Sequence, residues 1–149
     1  MKKWIVFVAL LACTLPACTL PGWASKEETL DQLLKRAQSA PVQEQPALYV
    51  EAAQRQLRAA DELYGAGKVD EARTAIEDVV TYSDRATAAA TKSGKKLKHT
   101  EISVRKMAER LRDIKRTLAF EDQAPVQAAA DHLEKMRTEL LSRMFGSKD

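Results

Sequence analysis

Residues 97–118 read "LKHTEISVRKMAERLRDIKRTL" and place an apolar side chain at every seventh position: Leu97, Val104, Leu111 and Leu118, with Met107 and Ile114 between them. That repeat puts all six on one stripe of an α-helix, the pattern that packs helices side by side at small crossing angles. The flanking sequence repeats the pattern. After Pro46, a favoured first-turn residue, Val50, Ala53, Leu57, Ala60 and Tyr64 alternate by three and four until Gly65 and Gly67. Val69, Ala72, Ile76, Val79, Ser83, Ala86 and Ala90 form the next seam, stopped by Gly94. Beyond a turn at Glu121–Pro125, Val126, Ala129, Leu133, Met136 and Leu140 form the last one, stopped by Gly146. Glycine ends helices because it takes the left-handed conformation cheaply.

A shorter helix is predicted ahead of these four, over Ser25 to about Ser39. Leu30, Leu33, Leu34 and Ala37 share one face, and Ser25 with Glu28 spells an S-x-x-E capping box. Pro41 and Pro46 bracket the polar linker that follows. The chain is rich in Ala, Glu, Lys, Arg, Gln and Leu, all strong helix formers, and nearly free of β-branched clusters. The expected fold is all-α: an up-and-down antiparallel bundle of four long helices, each roughly 30–37 Å long, with one shorter N-terminal helix as an accessory arm. Small seam residues on the third helix (Ala72, Ser83, Ala86, Ala90) should let its partners approach closely.

The N-terminus has a different character. Met1-Lys2-Lys3 is basic, Trp4 to Leu15 is apolar, and Pro16 breaks the run. A span needs roughly 20 apolar residues, so this stretch reads as a signal peptide. Gly22-Trp23-Ala24 puts small residues at the −3 and −1 positions before Ser25, the best-formed cleavage site. Leu10-Leu11-Ala12-Cys13 and Leu15-Pro16-Ala17-Cys18 resemble bacterial lipoboxes, which makes Cys13 and Cys18 candidate lipidation sites. Each route gives residues 1–24, or a shorter leader, as a signal, and residues 25–149 as one exported domain in the periplasm or secreted, anchored to a membrane if a cysteine is acylated. No transmembrane span is expected in the processed form. Loss of Lys2 and Lys3 lowers the formal charge from +3 to +1, so the precursor's basicity argues nothing about nucleic acid.

Residues 63–72, "LYGAGKVDEA", resemble the middle of a tetratricopeptide repeat: Tyr64, Gly67, Glu71 and Ala72 match, and Ala60 stands where that family has a small residue. Gln56 replaces the usual Trp, Asp84 stands where a closing Pro is common, and no second copy follows at a 34-residue period. The resemblance implies a helix–turn–helix and protein interaction.

No reaction chemistry is spelled out. His99 and His132 have no E-x-x-H or H-E-x-x-H context, and residues 96 and 129 are Lys and Ala. His132 and Met136 lie on one face of one helix and cannot clasp opposite sides of a haem. No G-x-S-x-G or P-loop is present. No cofactor, metal site or catalytic residue is expected. Charge is the uneven feature: ten Lys or Arg against three acids from Lys92 to Arg116, and eight acids against four bases from Glu51 to Asp84. Lys98, Arg105, Arg112 and Arg116 are expected to form a basic ridge opposite the Leu97–Leu118 seam, facing solvent or an anionic partner. Nucleic acid is disfavoured, because no aromatic lies between Lys92 and Arg116 to stack bases. Tyr49, Tyr64, Tyr82, Phe120 and Phe145 are contact anchors if exposed. The expected function is a non-enzymatic interaction or scaffold module of the bacterial cell envelope, its partner a protein or an anionic envelope surface. The alternative is a ligand-binding or chaperone-like periplasmic bundle.

Overall fold

The computed structural model describes residues 28–146. Cys13, Cys18, Ala24 and Ser25 lie outside them. Five helices follow in order: α1 (Leu30–Ser39), α2 (Gln45–Gly65), α3 (Val69–Ser93), α4 (Leu97–Thr117) and α5 (Gln123–Phe145), with a 3-10 turn at Phe120–Asp122 before the last. Among the described residues there is no strand. The fold is the helical bundle that the seams predict, four long helices and a shorter one.

The start of α1 differs from expectation. The capping box is Thr29 with Gln32: the Gln32 N–H donates to Thr29 Oγ1 at 3.3 Å, and the Thr29 N–H to Gln32 Oε1 at 3.0 Å. T-x-x-Q satisfies the same free N–H groups as S-x-x-E one turn later. Glu28 is occupied otherwise. Its carboxylate accepts from Arg36 at 2.7 Å, and its carbonyl accepts from Arg55 of α2. Nor does α1 stand apart as an arm, since Leu33 and Ala37 are fully buried and α1 packs along α2.

The turns follow from glycine. At the end of α2, Gly67 takes φ +74°, and the Lys68 N–H reaches back to the Leu63 carbonyl at 2.9 Å. That six-to-one bond satisfies a carbonyl the helix leaves free. Tyr64 and Ala60 fall in the last turns of α2, and Glu71 and Ala72 in the first turn of α3. Between α3 and α4, Gly94 takes φ +65° and Lys96 takes φ +62°, which reverses the chain in three residues.

Cross-helix pairs give the topology. Gln56–Asp78 joins α2 to α3, and Glu101–Arg137 and Lys115–Gln127 join α4 to α5, with sequence numbers running in opposite directions along each pair. These are two antiparallel hairpins. Between hairpins the direction is shared. Arg73–Asp122 and Thr87–Met136 link α3 to the start and middle of α5, and Asp61–Arg110 links α2 to α4, each pair 49 residues apart. The hairpins therefore stack with like-directed helices side by side.

The core fills the space between them. Ile76 and Val79 of α3, Val104, Met107, Leu111 and Ile114 of α4, and Val126, Leu133 and Met136 of α5 join Leu33 and Leu57 in one buried cluster. Each large apolar side chain fully buried there contributes about 1.5–3 kcal/mol. Ala72, Ser83, Ala86 and Ala90 are all 0% exposed, as close approach to α3 requires.

Candidate functional site

The expected basic ridge is built differently from its sequence reading. Lys98 is exposed. Arg105 lies 3.2 Å from Glu109 and 4.0 Å from Glu101, and Arg116 lies 2.8 Å from Asp113. Arg112 pairs with Glu134 of α5. Arg112 thus turns to α5, whereas Arg105 and Arg116 pair within α4. Arg112 follows the seam residue Leu111 by one, a rotation of about 100°, which brings it to Glu134 of the neighbouring helix. Three of the four cations are spent on carboxylates.

A second network lies beside it. Glu101, 8% exposed, accepts from Arg137 Nε at 2.9 Å, and Arg137 also reaches Glu134 at 3.4 Å. The hydrogen bond to Glu101, then that to Glu134, raises the Arg137 pKa above the ordinary arginine value. These groups hold α4 to α5.

Two of the grooves between the hairpins carry apolar floors. One, between α2 and α4, encloses about 460 Å³ and is lined by Gln54, Leu57, Arg58, Lys106, Met107 and Arg110, among others. The other, between α3 and α5, encloses about 390 Å³ over Ile76, Val80, Pro125 and Ala129, with His132 at its edge. The His132 Nε2 sits 3.0 Å from Asp84 Oδ1. His99 is exposed in the first turn of α4. Among the described residues no three His, Cys, Asp or Glu side chains gather as metal ligands would.

One group of cations outside the ion pairs clusters elsewhere. Residues 85–100, "RATAAATKSGKKLKHT", hold five Lys or Arg and no acid. Lys92, Lys95, Lys96 and Lys98 are exposed around the α3–α4 turn. The carboxylates that form ion pairs among the described residues take Arg36, Arg55, Lys68, Arg73, Arg105, Arg110, Arg112, Arg116, His132 and Arg137, and none of these four lysines. Counting charges from Lys92 to Arg116 as one group hid this division. The acid-free run from Arg85 to Thr100 was the signal that separates them.

The aromatics divide as well. Tyr49 and Tyr82 are buried, with the Arg85 guanidinium 5.8 and 6.0 Å from their ring centres. Tyr64 is half-buried beside the Arg73–Asp122 ion pair, and its hydroxyl finds no hydrogen-bond partner within the structure. Burial raises its pKa and that of Tyr82 above the ordinary tyrosine value. Phe120 and Phe145 are 89% and 77% exposed. Phe120 lies between α4 and α5, and Phe145 closes α5 at the opposite end.

Comparison with family models, with curated proteins and with solved structures finds no match for this chain. No helix among the described residues is long and apolar enough to cross a membrane.

Proposed function

We propose that the chain is an exported, non-enzymatic interaction or scaffold module of the bacterial cell envelope, working through its surface. The observation that carries this reading is the division of its cations. Arg73, Arg110, Arg112 and Arg137 join helix to helix and Arg105 and Arg116 pair within α4, whereas Lys92, Lys95, Lys96 and Lys98 stand outside every ion pair on one end. Apolar side chains support it: apart from Phe120 and Phe145, the large ones are at least partly committed to the seams, and the grooves they leave are open and edged by ion-paired groups. The basic leader, the apolar run and the site after Ala24 support export, and Cys13 or Cys18 would add a lipid anchor. The tetratricopeptide-like turn at 63–72 supports a protein as partner.

Chemical crosslinking in intact cells, followed by affinity recovery and mass spectrometry, tests the reading. The expected result is a reproducible envelope component linked through the α3–α4 turn. Turnover of a small molecule by the purified chain, abolished by a single side-chain substitution, would sink it. Intact mass of the processed protein distinguishes a chain starting at Ser25 from one acylated on Cys13 or Cys18.

A further inference from the structure

We infer that the end of the bundle carrying Lys92, Lys95, Lys96, Lys98 and Phe145 docks the chain on the surface of an anionic phospholipid bilayer. The inference rests on the interaction-module reading and names its partner.

The topology brings these residues together. Arg137 of α5 pairs with Glu101 of the antiparallel α4. Phe145 lies eight residues beyond Arg137, about 12 Å further along its helix, and Lys96 lies five before Glu101, about 7.5 Å along α4 in the same direction. The α3–α5 contact of Thr87 with Met136 gives the same answer. Lys92 is five residues past Thr87, and Phe145 is nine past Met136, both toward this end. By axial rise, the Phe145 backbone therefore lies slightly beyond those of Lys92 and Lys96, at the same end. Arg143, two residues before Phe145, is also exposed. Among the described residues, Glu44 and Glu139 are the exposed acids on this end, against the cations Lys92, Lys95, Lys96, Lys98 and Arg143.

Charge selects the lipid class. Clustered lysines near an anionic leaflet each add to binding and lose their effect beyond a Debye length. The aromatic selects a bilayer over a dissolved polymer, because an exposed ring at the headgroup level buries itself where a polyanion offers only charge. The other exposed ring is the internal control. Phe120 is more exposed than Phe145, yet it sits beside Glu121 and Asp122, with Asp70 and Glu71 starting α3 at that same end. An anionic surface repels those carboxylates. The two ends therefore share an aromatic and differ in charge, and the basic one faces the membrane.

The test is vesicle co-sedimentation of the processed full chain in a Cys13→Ser/Cys18→Ser background, which removes both acyl acceptors. Vesicles of phosphatidylcholine alone are compared with vesicles containing 30–40% phosphatidylglycerol, a range of roughly the anionic content that sets a substantial surface potential. Binding to the anionic vesicles is expected, falling steeply with salt. Lys95→Glu/Lys96→Glu/Lys98→Glu should lower partitioning at least about tenfold. Phe145→Ser should lower it severalfold while leaving the salt dependence unchanged. Phe120→Ser and Arg116→Gln should leave it intact. Matching helical circular dichroism and melting temperature show that each variant is folded. Equal binding to both vesicle types, no binding to either, or full binding by the charge-reversed variant overturns the inference. Crosslinking to an envelope protein that survives Lys95→Glu/Lys96→Glu/Lys98→Glu, with no vesicle binding, overturns the lipid partner and leaves the module reading standing.

Discussion

Arg137 of α5 places its Nε 2.9 Å from the Glu101 carboxylate of α4, and Glu101 is nearly buried. The pair closes the second hairpin near the end where α4 begins, and Arg105 leans on the same carboxylate from one turn away. Removing one partner of a nearly buried pair leaves the other desolvated and uncompensated. Glu101→Gln is expected to lower stability by about 1–3 kcal/mol in urea unfolding. Glu109→Gln, which breaks an exposed pair with Arg105, should cost under about 1 kcal/mol. Equal effects of the two would show that Glu101 has no special place.

Tyr64 carries a hydroxyl that the fold buries without a partner. Tyr64→Phe removes the unsatisfied group and keeps the ring, so stability should hold or rise by up to about 1 kcal/mol. A loss above that would reveal a partner for the hydroxyl.

Alkaline pH probes the same residue. Burial raises the pKa of both Tyr64 and Tyr82 from 10.0. A phenol raised in the folded chain contributes stability that is fully present below pH 10 and is lost as pH rises through the raised value. The chain should therefore weaken above pH 10, and Tyr64→Phe/Tyr82→Phe should weaken less steeply over that range. Parallel alkaline curves for the two proteins would contradict this.

Lys96 holds φ +62° without being glycine, a conformation that costs about 1 kcal/mol for a residue with a Cβ. Lys96→Gly should relieve that strain and leave stability unchanged or raised by up to about 1 kcal/mol, since glycine's greater unfolded-state freedom offsets part of the gain. The same variant should bind anionic vesicles more weakly, having lost one of four clustered cations. Gly94→Ala at φ +65°, where a Cβ meets nothing within 4 Å, should cost about 1 kcal/mol from backbone strain alone. Differential melting reads both changes.

Leu133 is 0% exposed in the cluster shared by both hairpins. Leu133→Ala should cost about 2–5 kcal/mol, measured as a shift in the urea midpoint. Leu34, only half-buried on α1, should cost less on the same truncation.

What the residues announced and what they withheld divide along physical lines. Seams were legible because a three-and-four alternation is a local property: every residue from Val126 to Leu140 on the α5 seam is buried as its spacing requires. The stops at Gly67 and Gly94 were legible because left-handed backbone has few other occupants. The start of α1 was not, since Ser25-x-x-Glu28 and Thr29-x-x-Gln32 offer the same capping chemistry and only the ties of Glu28 to Arg36 and Arg55 separate them. Which hairpin faces pack together was also hidden, because a repeat of seven states that a helix has a partner without saying which. One member of the expected ridge was misjudged for that reason. Arg112 looked solvent-facing until α5 supplied Glu134.

The near-constant separation of 48 or 49 residues between stacked partners such as Asp84–His132 and Thr87–Met136 has a kinetic consequence. Each hairpin closes over a short turn and can form early from local contacts, whereas the stacking surface waits for the whole second hairpin to be available. Until α5 arrives, the α3 side that it will cover, Ile76 and Ala129's future neighbours included, stays wet and sticky. A half-finished chain is therefore at its most aggregation-prone after α3 is complete and before α5 has docked, a window that a holding chaperone would need to cover.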